Sequence, residues 1–385
     1  MKVVIFILSL FLAGTVNAEV LFEDNFDGHS DWSPTQLEHD QGDSTSSTDG
    51  DHDTRCTGCP DGTAIYAGFR VASSAWNDYV GNTLELNSDN YRGSNGKGLT
   101  YWHEPIDSNL CDNGTYWCSD QIMVIRLETP QDEIYVRHYI KFQSDWVFDT
   151  DPPAAMKMNH FTHYVSDSFW TFFKSGNHWP IMLNDFGIGE GYTDAQITAH
   201  LRKQSCYYPN DGYDDWENDG AVVANDFVRL GANDDEVSLT CTHSSDCKDW
   251  DELLIDGNWH CLEYRLKGNT GEGVHDGIHE MWIDGIKIFS LTHVPYADSG
   301  EDASGDNICS DCGGNVIDPP SDFQGWNMIM IGGNMYNRYY SSSSHTEQWY
   351  AIDDLVISTT YVGVDYQIGD STTFNGISGS GVWIQ

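Results

Sequence analysis

The sequence predicts an all-β chain folded as a two-sheet antiparallel β-sandwich with long loops and one short helix. Three observations point there. Short runs rich in β-branched and aromatic residues alternate apolar with polar, the period of two that a strand with one buried face requires. Gly, Asn and Asp punctuate those runs as turn residues do. Only one stretch, Asp194 to Lys203, carries a helical pattern, and no segment repeats at a fixed period. Many short strands with so little helix lead to a sandwich.

The elements follow in chain order. Lys2, the apolar run Val3 to Leu12 and the small residues around Val16-Asn17-Ala18 read as a signal peptide over 1–18, with a mature start at Glu19. The run is too short to span a bilayer. The mature protein is therefore expected outside the cytoplasm, secreted or extracellular, with periplasm and cell surface also compatible. Leu21 to Gly28 (LFEDNFDG) reads as a strand ending in a turn, and 37–63 as an acidic surface loop. From Ile134 to Phe142 the chain alternates cleanly. Ile134, Val136, His138, Ile140 and Phe142 share one face, and Tyr135, Arg137, Tyr139 and Lys141 the other. Leu262, Tyr264 and Leu266 alternate with charged residues. Residues 278–290 read as a hairpin turning at Asp284-Gly285. Trp326 to Ile331 and Tyr350 to Ser358 complete the strands. One domain over 19–360 is expected, with 361–385 a C-terminal extension packed on or trailing it.

Composition narrows the partners. Sixty acidic residues against 18 basic ones give a net charge of −42. Such a field repels nucleic acid and anionic membrane alike. It suits a salty exterior, where repulsion is screened, and it suits calcium. No second hydrophobic run is long enough to cross a membrane, and a soluble monomer is expected. The ten cysteines are read as disulfides after export. Local pairs suggest themselves: Cys56 with Cys59, Cys111 with Cys118, Cys241 with Cys247, and Cys309 with Cys312. Cys206 and Cys261 are left to pair over a longer loop. The alternative is a zinc site built from the two C-x-x-C pairs.

Four segments together carry a resemblance. They are LFEDNFDG; EIYVRHYIKFQSDW followed by AMKMNHF; GNWHCLEYRLKGNTG with DGIHEMWIDG; and WNMIMIGGN followed by WYAIDDLVIS. Their order resembles the jelly-roll polysaccharide lyases of the glucuronan-lyase and alginate-lyase kind, within the concanavalin A-like lectin/glucanase superfamily. The resemblance implies a jelly-roll sandwich and a polysaccharide or other glycan as partner. The chain departs from the pattern in two places. It has no Gln-x-His, because Gln121-Ile122-Met123 puts Met third. It also lacks the Glu-x-Asp-x-x-Glu of the hydrolases that share the fold, whose spacing sets two carboxyls about 5–5.5 Å apart.

Elimination from a uronate must neutralise the C6 carboxylate, remove the C5 proton and protonate the leaving oxygen. Candidate basic, amide and phenolic groups in or beside the resembling segments are Arg126, Arg137, His138, Lys157, Asn159, His160, Asn334 and Tyr336. Arg126 and Asn159 are the expected neutralisers. His160, or His138 if it faces the groove, is the expected base, and Tyr336 the acid. Arg137, His138 and Lys141 read equally well as ordinary strand residues. Trp170, Trp179, Tyr339 and Arg338 are candidate sugar contacts, which also serve a second reading: a lectin-like binding protein with no chemistry. From the superfamily likeness one structural Ca²⁺ is expected, with Asp24, Asn25, the Gly28 carbonyl and Asp353 or Asp354 as ligands.

Overall fold

A computed structural model describes residues 19–31, 64–68, 84–103, 121–148, 155–164, 178–187, 196–202, 227–230, 254–271, 274, 276–294, 296, 323–333, 335–336 and 348–368. The expected signal peptide, the expected acidic loop and every cysteine except Cys261 lie outside these residues.

Among the described residues sixteen strands form two antiparallel sheets. The first sheet contains β1 (Val20–Asp24), β3 (Leu84–Asn87), β4 (Gly98–His103), β6 (Glu133–Phe142), β11 (His260–Lys267), β12 (Gly277–Ile283), β13 (Ile286–Val294) and β16 (Gln348–Ser358). Its order is β13-β12-β11-β6-β16-β4-β3, with β1 also on β16. The second contains β2 (Ala64–Gly68), β5 (Gln121–Gln131), β7 (Ala155–Tyr164), β8 (His178–Gly187), β9 (Gln196–Arg202), β10 (Phe227–Leu230), β14 (Trp326–Gly332) and β15 (Met335–Tyr336). Its order is β10-β9-β8-β7-β14-β5-β2, with β15 on β7. The two sheets face each other across one core, as a jelly-roll sandwich requires.

The alternation read along β6 is the one that forms. Ile134, Val136, Ile140 and Phe142 enter the core, while Arg137 and Tyr139 take the outer face. The hairpin turns where expected, with Asp284 at φ 51 and Gly285 at φ 80, the doubly left-handed pair of a type I′ turn. The expected helix does not form. Gln196–Arg202 is a strand, paired with β8 on one side and β10 on the other. Ile197 and Ala199 are both fully buried, two apart, so sheet pairing overrides the local helix propensity of Gln, Ala, Leu and Arg. Among the described residues only Leu254 is helical.

The core is aromatic and sulfur-rich. Tyr101 stacks on Tyr350 with ring centroids 4.6 Å apart, and Phe142 meets Trp146 and Phe186 edge-on. The Tyr101 hydroxyl donates to the carbonyl of Ile331 at 3.1 Å, tying the first sheet to the second.

β16 is long enough to be shared. Gln348 to Ile352 pair with β4, and Leu355 to Ser358 with β1. At the handover Asp354 takes φ 49 and the register against β6 slips. Asp is among the few residues that enter this region at modest cost.

Residues 361–368 pack on the sandwich. Tyr361 to Ile368 lies on the outer face of the first sheet. Arg137 is fully buried beneath it and donates to the carbonyls of Gly363, Tyr366 and Asp354. Glu263 accepts the backbone N–H groups of Val362 and Gly363 at 2.7 and 2.8 Å. Tyr139 donates to the carbonyl of Val364, and the Tyr366 hydroxyl to Glu23. Cys261 sits on this face beside Tyr139 with a free, buried thiol, which burial pushes up to about 12. The expected Cys206–Cys261 bridge is therefore absent, because the Cys261 sulfur is spoken for by a face that the C-terminal segment closes.

Candidate functional site

The outer face of the second sheet gathers the polar groups that could act on a ligand. β7 lies at its centre, between β8 and β14. Met156, Met158 and Phe161 of β7 enter the core, whereas Lys157 and His160 turn away from it. Two residues three apart cannot share a face of a regular strand. Here they do because β7 carries a bulge: Lys157 pairs with Asp185, yet Asn159 pairs with Asn184. One residue is inserted, and the alternation resets after it.

His160 sits in a row that register defines. Met330 pairs with His160 on one side and with Val124 beyond it, and Leu183 pairs with His160 on the other side. Val124, Met330 and Leu183 are almost wholly buried and lie outside the central core cluster, so they form an apolar floor on this face. Lys157, His160 and Asp185 are each less than a tenth exposed. In such a setting a charge or a proton-accepting nitrogen acts at a lower effective dielectric than in water, and acts more strongly. Gly333, with φ 142, follows the end of β14 beside them. A Cβ there would lie 2.9 Å from the Lys157 Cβ and 3.4 Å from His160 Cε1. Only glycine lets the backbone come so close.

Arg126 projects from β5 on the same face, since Met123, Ile125 and Leu127 take the core side. It pairs with Met328, which pairs in turn with Thr162 of β7. That places it two strands from β7, about 10 Å across the sheet. Tyr336 pairs with Ala155, two residues before Lys157 along β7. Trp179 lies in β8. Asn334, Arg338, Tyr339 and Trp170 fall outside the described residues.

Three expected site residues stand elsewhere. Arg137 is on the outer face of the other sheet, holding the C-terminal segment. His138 is inside the core, stacked on Tyr264 at 6.1 Å, and burial pushes its pKa down to about 3. Both belong to β6 of the first sheet, which removes them from the Lys157 face, and alternation sends them to opposite sides of that sheet. Asn159 points inward, because the bulge turns it to the core. It is fully buried and accepts a hydrogen bond from the Asn184 amide at 2.6 Å. Asp185, which the sequence reading did not single out, joins the site as the cross-strand partner of Lys157.

Several of the expected calcium ligands make other contacts. Asp24 accepts the Phe26 N–H and meets His29 at 2.8 Å. Asn25 is bonded to Asp27, and Asp354 to the Arg92 guanidinium. Gly28 has open space around it. Among the described residues no group of three or more His, Cys, Asp or Glu is placed to hold a metal ion. One carboxylate does stand out. Asp353 is almost wholly buried, and burial, with Asp354 and Asp27 adding to it, pushes its pKa up to about 8. Asp27 of the first turn acts on it, and the Arg92 backbone N–H donates to it at 2.7 Å.

No protein-family model matches the chain, and no curated protein matches it. Among solved structures it is similar to an endo-β-1,4-glucuronan lyase from the fungus Trichoderma reesei. Identity is 13%, over 74% of this chain and 91% of that one, with a TM-score of 0.41. It is similar to the alginate lyase vAL-1 from Chlorella virus, at 10% identity over 71% and 89%, TM-score 0.41. It is also similar to an endo-1,3-β-glucanase from Streptomyces sioyaensis, at 9% identity over 90% and 98%, TM-score 0.39. These are likenesses of strand arrangement, and the chemistry of the site is read from this chain's own residues.

Proposed function

We propose that this is a secreted polysaccharide-acting protein that cleaves a uronate-containing chain by β-elimination on the outer face of the second sheet. The observation that carries the reading is the bulge of β7, which sets Lys157 and His160 side by side over an apolar floor. Lys157 and Arg126 neutralise the C6 carboxylate, which makes the C5 proton acidic enough to remove. His160 takes that proton on an imidazole nitrogen, the group most often used as a general base. The electron pair from the C5–H bond forms the C4–C5 double bond, and the C4–O bond breaks. The leaving oxygen takes a proton from an acid, the role proposed for Tyr336. No water is consumed, and each cut leaves one unsaturated uronate end. A polyanionic chain is repelled by a net charge of −42, but the basic groups on this face can supply a local field that draws it in.

The test is ultraviolet absorbance during incubation with glucuronan, alginate and related polymers. The wild type is expected to generate the conjugated unsaturated product. His160→Ala is expected to lower kcat by about 10²–10⁴, the usual size of a general-base contribution, while the thermal midpoint stays near that of the wild type. Binding of a uronate polymer without product from any of them would instead establish the lectin-like reading.

We also propose a structural Ca²⁺ at Asp353, with Asp27 as its acidic neighbour in place of Asp24. Support comes from the cost of an ionised carboxylate buried at Asp353, which a divalent cation with oxygen ligands would offset.

A further inference from the structure

The bulge that brings Lys157 and His160 together has an inward side. Resetting the alternation turns two consecutive residues, Met158 and Asn159, toward the core. Met158 is at home there. Asn159 is not: a buried amide without partners costs about 1–3 kcal/mol. Its partner is Asn184, which follows from β8 and whose amide N–H donates to Asn159 Oδ1 at 2.6 Å. Asn184 is anchored in its turn from the opposite sheet. His279 of β12 reaches across the core, and its Nε2 lies 2.9 Å from Asn184 Oδ1. All three residues are fully buried. The His279 ring is itself fixed, parallel to Tyr264 at 6.4 Å and edge-on to Phe289 at 4.9 Å. Burial pushes His279 down to about 3, so the chain of groups carries no charge through the core.

A polar line of this kind is a poor way to gain stability, since an apolar core would do as well. What it specifies is register. If β7 paired with β8 without the bulge, Lys157 and Asn159 would share one face and His160 would fall on the other with the core residues. Asn159 would then leave Asn184 and His279 with unmatched groups in the core. The line therefore penalises the arrangement in which Lys157 and His160 are separated.

We propose that Asn159, Asn184 and His279 are positioning residues: a hydrogen-bonded peg, rooted in the opposite sheet, that holds the β7 bulge and so keeps Lys157 and His160 on one face. The peg touches no substrate. The proposal rests on the reading of that face as the polysaccharide site, and its test separates the two.

The variant is His279→Met, which keeps volume and removes the anchor without touching Lys157 or His160. His279→Gln is the conservative companion, able to donate to Asn184. Three quantities are measured well below the thermal midpoint: kcat and KM for polyuronate elimination, oligouronate affinity, and the β7–β8 register from cross-strand amide contacts. His279→Met is expected to lose the Lys157–Asp185 and Asn159–Asn184 pairs together. It should also lower kcat/KM by about 10²-fold, the cost of misplacing a group by about an ångström. His279→Gln should restore both. A purely structural role would lower the midpoint and leave register and kcat at wild-type values, and that result overturns the proposal. If the wild type neither binds nor cleaves a uronate polymer, the functional reading fails, and the register alone decides for or against the peg. Should His279→Met not fold, Asn159→Ala is measured in the same way: register kept overturns the peg, register lost supports it.

Discussion

His260 is gripped from both sides. Its Nδ1 lies 2.8 Å from Asp284 and its Nε2 3.0 Å from Asp256, so both ring nitrogens face carboxylates and the charged imidazolium is favoured. Its pKa is raised, chiefly by the hydrogen bond to Asp284, with burial opposing. The two acids are lowered despite burial, Asp284 and Asp256 both by hydrogen bonds to His260 and neighbouring donors. A raised histidine contributes stability that is fully present below its unfolded pKa and is lost as pH rises through the folded value. Lowered carboxylates contribute stability that is lost as pH falls through theirs. The contribution therefore peaks in mildly acidic solution. His260→Gln is expected to lower the thermal midpoint by a few degrees there and by less in alkaline buffer. A midpoint difference that does not change across that range would remove the charge from the explanation. The same residue scale shows what sequence leaves open. His138 and His160 are both histidines on long strands, and nothing in their types tells a core ring from a site ring. Alternation along β6 settles the first, while a bulge that leaves no mark in AMKMNHF settles the second.

Among the elements, β16 concentrates the most consequence. Its slip at Asp354 lets β4 and β1 share one strand, and it leaves Asp353 buried near the turn of β1. If a cation sits there, it clamps the first strand to the last. Calcium is then expected to raise the thermal midpoint relative to chelator in the wild type, and Asp353→Asn to abolish that difference. Equal midpoints in the wild type would sink the site. β6 and the 284–285 hairpin were readable in the sequence from their alternation and turn chemistry, and β14 from its continuous apolar run, buried on both faces. β9 was not, because Gln196 to Arg202 is composed of good helix formers and becomes a strand only through β8 and β10. The face carrying Arg126, Lys157 and His160 was half legible. Residue chemistry pointed to it, but the placement of Asn159 depends on a register set by Asn184 and His279, which lie far along the chain.

At the level of the whole molecule, the C-terminal segment closes the first sheet. Arg137 and Glu263 direct their hydrogen bonds to its backbone, and Cys261 is shut in beneath. Ending the chain after Thr360 would open this face and return those groups to water. The expected result is a loss of roughly 2 kcal/mol or more of stability, from charged hydrogen bonds and apolar cover lost together. Alkylation of Cys261 should also become fast in the native state, whereas the full chain should protect it until it unfolds. Mass spectrometry after a short alkylating pulse reads both forms, and equal labelling would show that the segment gives no cover.

That closure has a practical side. The segment reaches Ile368 on the outer face of the first sheet, and Lys157 and His160 open from the second sheet, across the full thickness of the core. A label or linker placed on Gln367 or Ile368 therefore sits on the back of the molecule. A bead or biosensor chip attached there would hold the protein with its Lys157–His160 face outward, whereas attachment through residues of that face would bury it against the support.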